Sequence, residues 1–300
     1  MDTFYNNWFV HGYNNDPTIT KRQTKTDKFC VEFEQNTNDI LPLREAVRHN
    51  NNCIKECAGD SDIYVMLSGG YDSQSIAKTM VEDNIKFTAL TFDFGRNLNE
   101  FDVSESKRLC DQYNIPLKIV SFDLIDYFST GEFKQYCEMT HCNYQYNYVY
   151  MHGLRDINGV VVSGHGDQEF EFNDNGKYWV FEEQLFTMFE YVKHSKMDRY
   201  IRYHAFTKEL WYSTYELYWK HLTNKKEHYT IKTRLYNDLG LTERVKYTGF
   251  EPYVTDILDP YKQLRHSVHR YLINRFPSSQ NDIENLLAEK ATGDLFLVKC

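Results

Sequence analysis

The sequence predicts an α/β fold: a doubly wound, mostly parallel sheet with a helical extension toward the carboxyl terminus. Two observations predict the sheet. Short apolar runs bounded by glycine or turn residues recur at Asp62–Leu67, Phe87–Phe92, Pro116–Val120 and Gly159–Gly164, and such runs read as buried strands. Stretches of helical periodicity separate them, and this alternation builds a parallel sheet covered on both faces. A third observation predicts the extension: beyond about residue 180 the apolar residues fall at helical spacing.

Taken in order, residues 1–40 are polar, with a turn at Asn14-Asn15-Asp16-Pro17 and a short edge strand at Phe29–Phe33. Leu41, Leu43, Ala46, Val47 and Ile54 give residues 41–58 a broken apolar stripe, hence a helix. Glu100 to Tyr113 is a second helix, with Val103, Leu109 and Cys110 inward, stopped by Asn114-Ile115-Pro116. Two further helical stretches are predicted at about 131–140 and 143–157. Phe181, Leu185, Met188, Phe189 and Val192 fall on one helical face, and the aromatic pattern continues from Leu210 to Trp219. Asp259-Pro260 reads as a helix start, with Leu264, Val268, Tyr271 and Leu272 inward, and Asn281 to Glu289 as a last short helix. The expected organisation is an N-terminal segment at 1–58, a nucleotide-binding core at 59–180 and a helical, substrate-side extension at 181–300.

The chemistry centres on Leu67-Ser68-Gly69-Gly70-Tyr71-Asp72-Ser73. An apolar strand runs into a tight glycine turn, and a helix pattern with Ile76, Ala77 and Met80 follows. Such a turn aims backbone N–H groups at one point, at the positive end of a helix dipole, which makes an anion site. A second glycine turn, Ser163-Gly164-His165-Gly166, also lies at the carboxyl end of a strand, where open α/β sheets bind ligands. Both turns are therefore expected to face one ligand. A turn that uses glycine for its geometry alone has no need of Ser, Asp and Ser together.

The form S-G-G-x-D-S resembles the PP-loop of the ATP pyrophosphatases, which cleave ATP between the α and β phosphates, and differs from the Walker A loop. Within that superfamily the chain resembles the synthetase domain of asparagine synthetase and its β-lactam-forming relatives at three places. These are the PP-loop preceded by Pro42–Val47, the stretch Phe92-Asp93-Phe94-Gly95 with Asn99-Glu100, and Val162–Phe170, which is similar to that family's S-G-E-G-A-D-E-L/F. The resemblance spans about residues 40–190 and implies an adenine nucleotide alpha-hydrolase-like fold, with ATP and Mg²⁺ as cofactors. It implies that Ser68, Gly69, Gly70, Tyr71, Asp72 and Ser73 hold the phosphates and that the backbones of Leu67, Phe94, Ser163 and Gly164 read the adenine. It implies Mg²⁺ ligation by Asp72, Asp167 and Glu169, since hard carboxylate oxygens suit that ion; a helix cap is the competing role for Asp72, a solvated acidic loop for the other two. The sequence departs from the pattern here: Gln168 replaces an acid, and His165 replaces the turn's Glu. The family's late catalytic lysine has candidate counterparts in Lys290, Lys262 and Arg265, and Arg96 is a further cation near the second strand.

The implied function is an ATP-dependent, AMP-forming ligase. It would adenylate a small carboxylate or carbonyl acceptor and then form an amide with ammonia or an amine. A glutaminase domain of that family begins with a cysteine just after Met1; here Asp2 stands there, so nitrogen is expected from ammonia, an amine or a separate glutaminase. The alternatives are a nucleobase- or tRNA-modifying PP-loop enzyme and a nucleotide-binding regulatory module without turnover. The seven cysteines include no C-x-x-C pair, which argues against thiolation, and with their irregular spacing they read as reduced thiols. A net charge of −9 argues against a general nucleic-acid backbone binder. There is no apolar run long enough to span a membrane and no signal-peptide pattern at the start, so a cytoplasmic protein is expected.

Overall fold

The computed structural model describes residues 8–24, 26–34, 40–141, 145–165, 168–224, 227–241 and 295–299. It begins with strands β1 (Phe9–Tyr13) and β2 (Phe29–Phe33), which pair antiparallel, and helix α1 (Leu43–Ala58) follows. The core is then laid down as β3 (Ile63–Met66), α2 (Tyr71–Glu82), β4 (Thr88–Asp93), α3 (Glu100–Tyr113) and β5 (Leu117–Ser121). Three helices come next, α4 (Leu124–Thr130), α5 (Phe133–Thr140) and α6 (Gln145–Leu154), and lead into β6 (Gly159–Ser163). A hairpin of β7 (Glu169–Asn173) and β8 (Gly176–Glu182) precedes α7 (Thr187–Val192), β9 (Met197–Arg202), α8 (Lys208–Leu217) and α9 (His228–Asp238). Finally β10 (Leu295–Lys299) joins β8 antiparallel.

The central sheet has the order β5-β4-β3-β6-β9, and every neighbouring pair is parallel. The chain builds outward from β3 through β4 to β5, then returns to lay β6 on the other side of β3. The order thus reverses between β3 and β6, and the crevice at their carboxyl ends is where such sheets take ligands. Alternation along β3 sends Ile63 and Val65 into the core under α1 and α2, while Tyr64 and Met66 pack on the opposite core. Parallel sheets need both faces covered. Here α1, α2, α3, α8 and α9 contribute to one core, and the other is filled largely by aromatic residues such as Trp8, Phe92, Trp179, Phe181 and Trp211.

The four expected strands and the helices at 41–58 and 100–113 are present. The differences lie elsewhere. On α3, Val103 is only half-buried, and Asp102 and Ser106 take buried places with Leu109 and Cys110. Leu124–Thr130 is a helix not expected from the sequence, and the stretch expected at 143–157 is helical over Gln145–Leu154. The largest difference concerns the start of the helical extension. Phe181 belongs to β8, Leu185 to a 3-10 turn, and only Met188, Phe189 and Val192 to a helix, α7. β9, at 197–202, is a strand of the central sheet. The helices expected after Asp259-Pro260 and at 281–289 lie outside the described residues.

Candidate nucleotide site

The turn after β3 is held by its own side chains. Gly69 has φ +74° and lies against α3, where an added Cβ would come 2.6 Å from Glu105 Cβ, so both conformation and space require glycine. The Ser73 hydroxyl donates to the Gly70 carbonyl at 3.0 Å and accepts from the Ser68 N–H at 3.3 Å. Gln74 Nε2 donates to the Gly69 carbonyl at 2.6 Å. These bonds draw the loop's carbonyls toward the helix interior. The first turn of α2 meanwhile supplies N–H groups that a helix cannot satisfy internally, at its positive end. Ser68 is exposed at the mouth, whereas Ser73 is buried. Ser73, expected to bind phosphate, thus has its hydroxyl proton committed to shaping the loop. Tyr71 is buried against the Tyr236 ring, 5.3 Å between centroids, so its side chain does not face the site.

The two glycine turns meet. A Cβ on Gly164 would lie 3.1 Å from Asp72 Cβ and 3.3 Å from Ile76 Cδ1, which brings the ends of β3 and β6 together at the reversal of strand order. Asp72 also receives two donors from α9: Lys232 Nζ at 3.0 Å and the Tyr236 hydroxyl. Its side chain keeps 27% of its surface exposed. Lys232 and Tyr236 were not singled out by sequence. Their spacing of four on one helix places them on a common face, but nothing local says that this face crosses 160 residues to reach Asp72.

Other expected site residues fall differently. The Leu67 N–H donates to the Leu90 carbonyl at 2.8 Å, and its carbonyl accepts from Thr91 at 2.6 Å and Ser106 at 2.9 Å. In the structure the Leu67 amide and carbonyl are thus both engaged within the fold. At Phe94, Asn99 takes the N–H at 2.9 Å and Leu124 N–H donates to the carbonyl at 3.1 Å. Ser163 is buried, with its hydroxyl accepting from the His165 N–H at 3.1 Å. Arg96 turns away to Asp123 at 2.6 Å and Asp126 at 2.8 Å.

Gln168 explains its own departure from the family pattern. It is 2% exposed and accepts from Trp179 Nε1 at 2.9 Å, while its amide donates to the Trp211 carbonyl at 2.6 Å and to Thr214 at 3.0 Å. It is a buried joint between β8 and α8, where a carboxylate could not donate. Glu169 opens β7 opposite Val180 and is exposed. Asp167, Lys262, Arg265 and Lys290 lie outside the described residues. Among the described residues no group of three or more His, Cys, Asp or Glu could hold a metal ion. Asp72 offers one partly exposed carboxylate at the turn, and a hard carboxylate oxygen fits a cation such as Mg²⁺, which takes one or two carboxylates and fills its shell from phosphates.

Residues 62–148 match the family model described as Queuosine biosynthesis protein QueC. Over these residues, which include the loop after β3, the chain is similar to that family. A curated relative, the 7-cyano-7-deazaguanine synthase of Picrophilus torridus, is 34% identical over 59 residues, which are 20% of this chain and 24% of the relative. The chain thus spans about a quarter of the curated relative it matches. Two solved structures are similar to the chain at a low level. The U34-tRNA thiolase NcsA from Methanococcus maripaludis is 17% identical, covering 81% of this chain and 80% of its own, with a TM-score of 0.33. The NH3-dependent NAD synthetase from Campylobacter jejuni is 17% identical, covering 83% and 94%, with a TM-score of 0.31. The family matched over the PP-loop is thus QueC, rather than the asparagine-synthetase-like group expected from the three-part resemblance. No helix among the described residues is long and apolar enough to cross a membrane.

Proposed function

We propose that the chain is an AMP-forming enzyme that uses its PP-loop to activate an oxygen on a nucleobase-type acceptor, which then receives nitrogen. The carrying observation is the QueC match over residues 62–148, which opens on β3 and the PP-loop, a loop that meets the turn after β6 at the switch point of the sheet. The matched relative is named for a cyano-deazaguanine. A cyano group is an amide less water, so its nitrogen enters at a carbon of carboxyl oxidation level. In the proposed reaction a carboxyl or carbonyl oxygen of the acceptor attacks the α-phosphorus, and the bond to pyrophosphate breaks. Ammonia or an amine, free or delivered by a separate glutaminase, then forms the C–N bond, and the oxygen departs with AMP.

The chain's own residues have distinct parts in this reading. The first turn of α2 and Ser68 receive the departing pyrophosphate, and the helix dipole favours its charge. Lys232 stands beside Asp72 as a positive charge at the same edge and would offset charge that grows on the phosphates. Asp72 would hold Mg²⁺, which supplies charge neutralisation for the leaving group. Adenylation of a small aliphatic carboxylate, as in asparagine synthetase, shares the first half of this chemistry and rests on the three-part resemblance.

The test is release of AMP and pyrophosphate from ATP with Mg²⁺ and ammonia, across carboxylated deazapurines and amino acids. Stimulation by a deazapurine is the expected result. Formation of ADP instead of AMP would falsify the reading, and stimulation by an amino acid alone would return it to the aliphatic acceptor.

A further inference from the structure

A row of aromatic side chains borders the PP-loop along the carboxyl edge of the sheet. Phe122 follows β5, Phe92 and Phe94 lie at the end of β4, Tyr150 stands on α6, and His165 follows β6. Their rings form an unbroken chain of contacts, with centroid separations of 5.7 Å for Phe122–Phe94, 6.4 Å for Phe94–Phe92, 5.9 Å for Phe92–Tyr150 and 4.8 Å for Tyr150–His165. Phe92 is buried, but Phe94, Phe122, Tyr150 and His165 are each half-buried. A row that served packing alone would be expected to bury its rings throughout. This one is anchored in the core at Phe92, its middle member, and is half-buried on both sides of it, at the edge where α/β sheets take ligands.

Gly153 sets the height of the row. A Cβ there would come 2.5 Å from Phe92 Cε1, so α6 lies directly on the Phe92 ring. Tyr150, three residues earlier on the same helix face, is thereby carried over Phe92 toward the strand ends. At the outer end, the Tyr150 hydroxyl and His165 Nε2 are 3.1 Å apart. His165 adjoins Gly164, the residue that touches Asp72 of the PP-loop.

We propose that this row is the acceptor-recognition surface. A planar heteroaromatic ring stacks against it, and the Tyr150–His165 pair hydrogen-bonds the polar edge of that ring. The proposal deepens the function proposed above, and rests on it for the acceptor's role. Stacked faces reward a ring and discriminate against an aliphatic acceptor. A hydroxyl and an imidazole together offer both donor and acceptor capacity, which suits the mixed edge of a nucleobase.

The experiment is calorimetric titration of the full chain with 7-deazaguanine, with aspartate and, separately, with ATP. The wild type is expected to bind 7-deazaguanine and not aspartate. Tyr150→Ala and His165→Ala should each weaken the heterocycle by about tenfold, the scale of one lost stacking partner, and leave ATP affinity within about twofold. Tyr150→Phe, which keeps the ring and the packing on Phe92, should cost less than Tyr150→Ala; it carries the test if the alanine variant fails to fold. Unchanged heterocycle affinity in the variants would overturn the proposal. So would an equal loss for ATP, which would make the row an adenine site, or a preference for aspartate. A chain that binds 7-deazaguanine through the row but forms no AMP keeps the surface and loses the reaction, so the two failures are distinguishable.

Discussion

Two carboxylates in this chain have the same kinds of partner. Glu183 accepts from the Arg22 guanidinium at 2.8 Å through both Nε and Nη2, and from the Tyr13 hydroxyl at 2.7 Å. Asp72 accepts from the Lys232 ammonium and the Tyr236 hydroxyl. The surroundings separate them. Arg22 and Glu183 keep 1% and 2% of their side-chain surface, and Lys232 and Asp72 keep 11% and 27%. A two-pronged guanidinium fits a carboxylate in one geometry, whereas an ammonium is a rotatable point charge. The first pair is a closed staple between the N-terminal segment and the end of β8. In the second the lysine is buried and only the Asp72 carboxylate keeps a partly exposed face. A carboxylate with a cation beside it is therefore not a site by that fact alone; exposure and exchangeability make it one.

The staple should show the largest effect. Glu183→Gln leaves a buried guanidinium without its counter-charge, and breaking such a pair costs about 3–5 kcal/mol. Urea unfolding should show that loss, and the folded fraction should still bind ATP. A loss under about 1 kcal/mol would mean that the two pairs are not different in kind. Asp72→Asn should behave in the opposite way. The proposed Mg²⁺ role predicts a fall in pyrophosphate release of about 100-fold, equivalent to a few kcal/mol of transition-state stabilisation. The unfolding midpoint should barely move, since a partly exposed pair contributes about 0–1 kcal/mol.

Gln168 sharpens the contrast from a third direction. By resemblance it occupies an acidic position next to the metal. By structure it is a buried joint with three bonds made. Gln168→Glu should then give no gain in activity and should destabilise by at least about 1–3 kcal/mol, because a carboxylate faces the Trp211 carbonyl where an amide had donated. Increased AMP formation at unchanged stability would place residue 168 back at the phosphates.

These cases show what was legible in the chain and what was not. The strands of the sheet's first half were legible because they are short apolar runs, and the PP-loop because glycine geometry is local. The hairpin was legible in principle: Glu169-Phe170-Glu171-Phe172 alternates with period two, and Phe170 is buried while Glu169 is exposed. Helical spacing from Phe181 onward masked it, since four of those apolar residues are buried in the aromatic core from a strand and a helix, and Leu185 packs against it from a 3-10 turn. β9 reads Met-Asp-Arg-Tyr-Ile-Arg, too polar to announce a sheet strand. Its buried Arg202 lies 4.9 Å from the Phe186 ring centroid, a partner that only the tertiary fold supplies. The same holds for Lys232 and Tyr236, whose approach to Asp72 is a property of how α9 docks.

The smallest expected effect tests the openness of that docking. Lys232→Met keeps an apolar stem beside Tyr236 and removes the charge. Asp72 can then turn its carboxylate to water, so the stability cost should stay within about 1 kcal/mol. That cost should also shrink with salt. The Debye length falls from more than about 10 Å below 0.1 M to about 3 Å at 1 M, and a pair with one partly exposed partner is screened more than a pair buried on both sides. Unfolding of wild type and Lys232→Met at low and high salt should therefore converge, while Glu183→Gln keeps its full deficit at both. If the Lys232→Met deficit were large and indifferent to salt, the Asp72 pair would be a second closed staple, and Asp72 would have no exchangeable face to offer a nucleotide-bound cation.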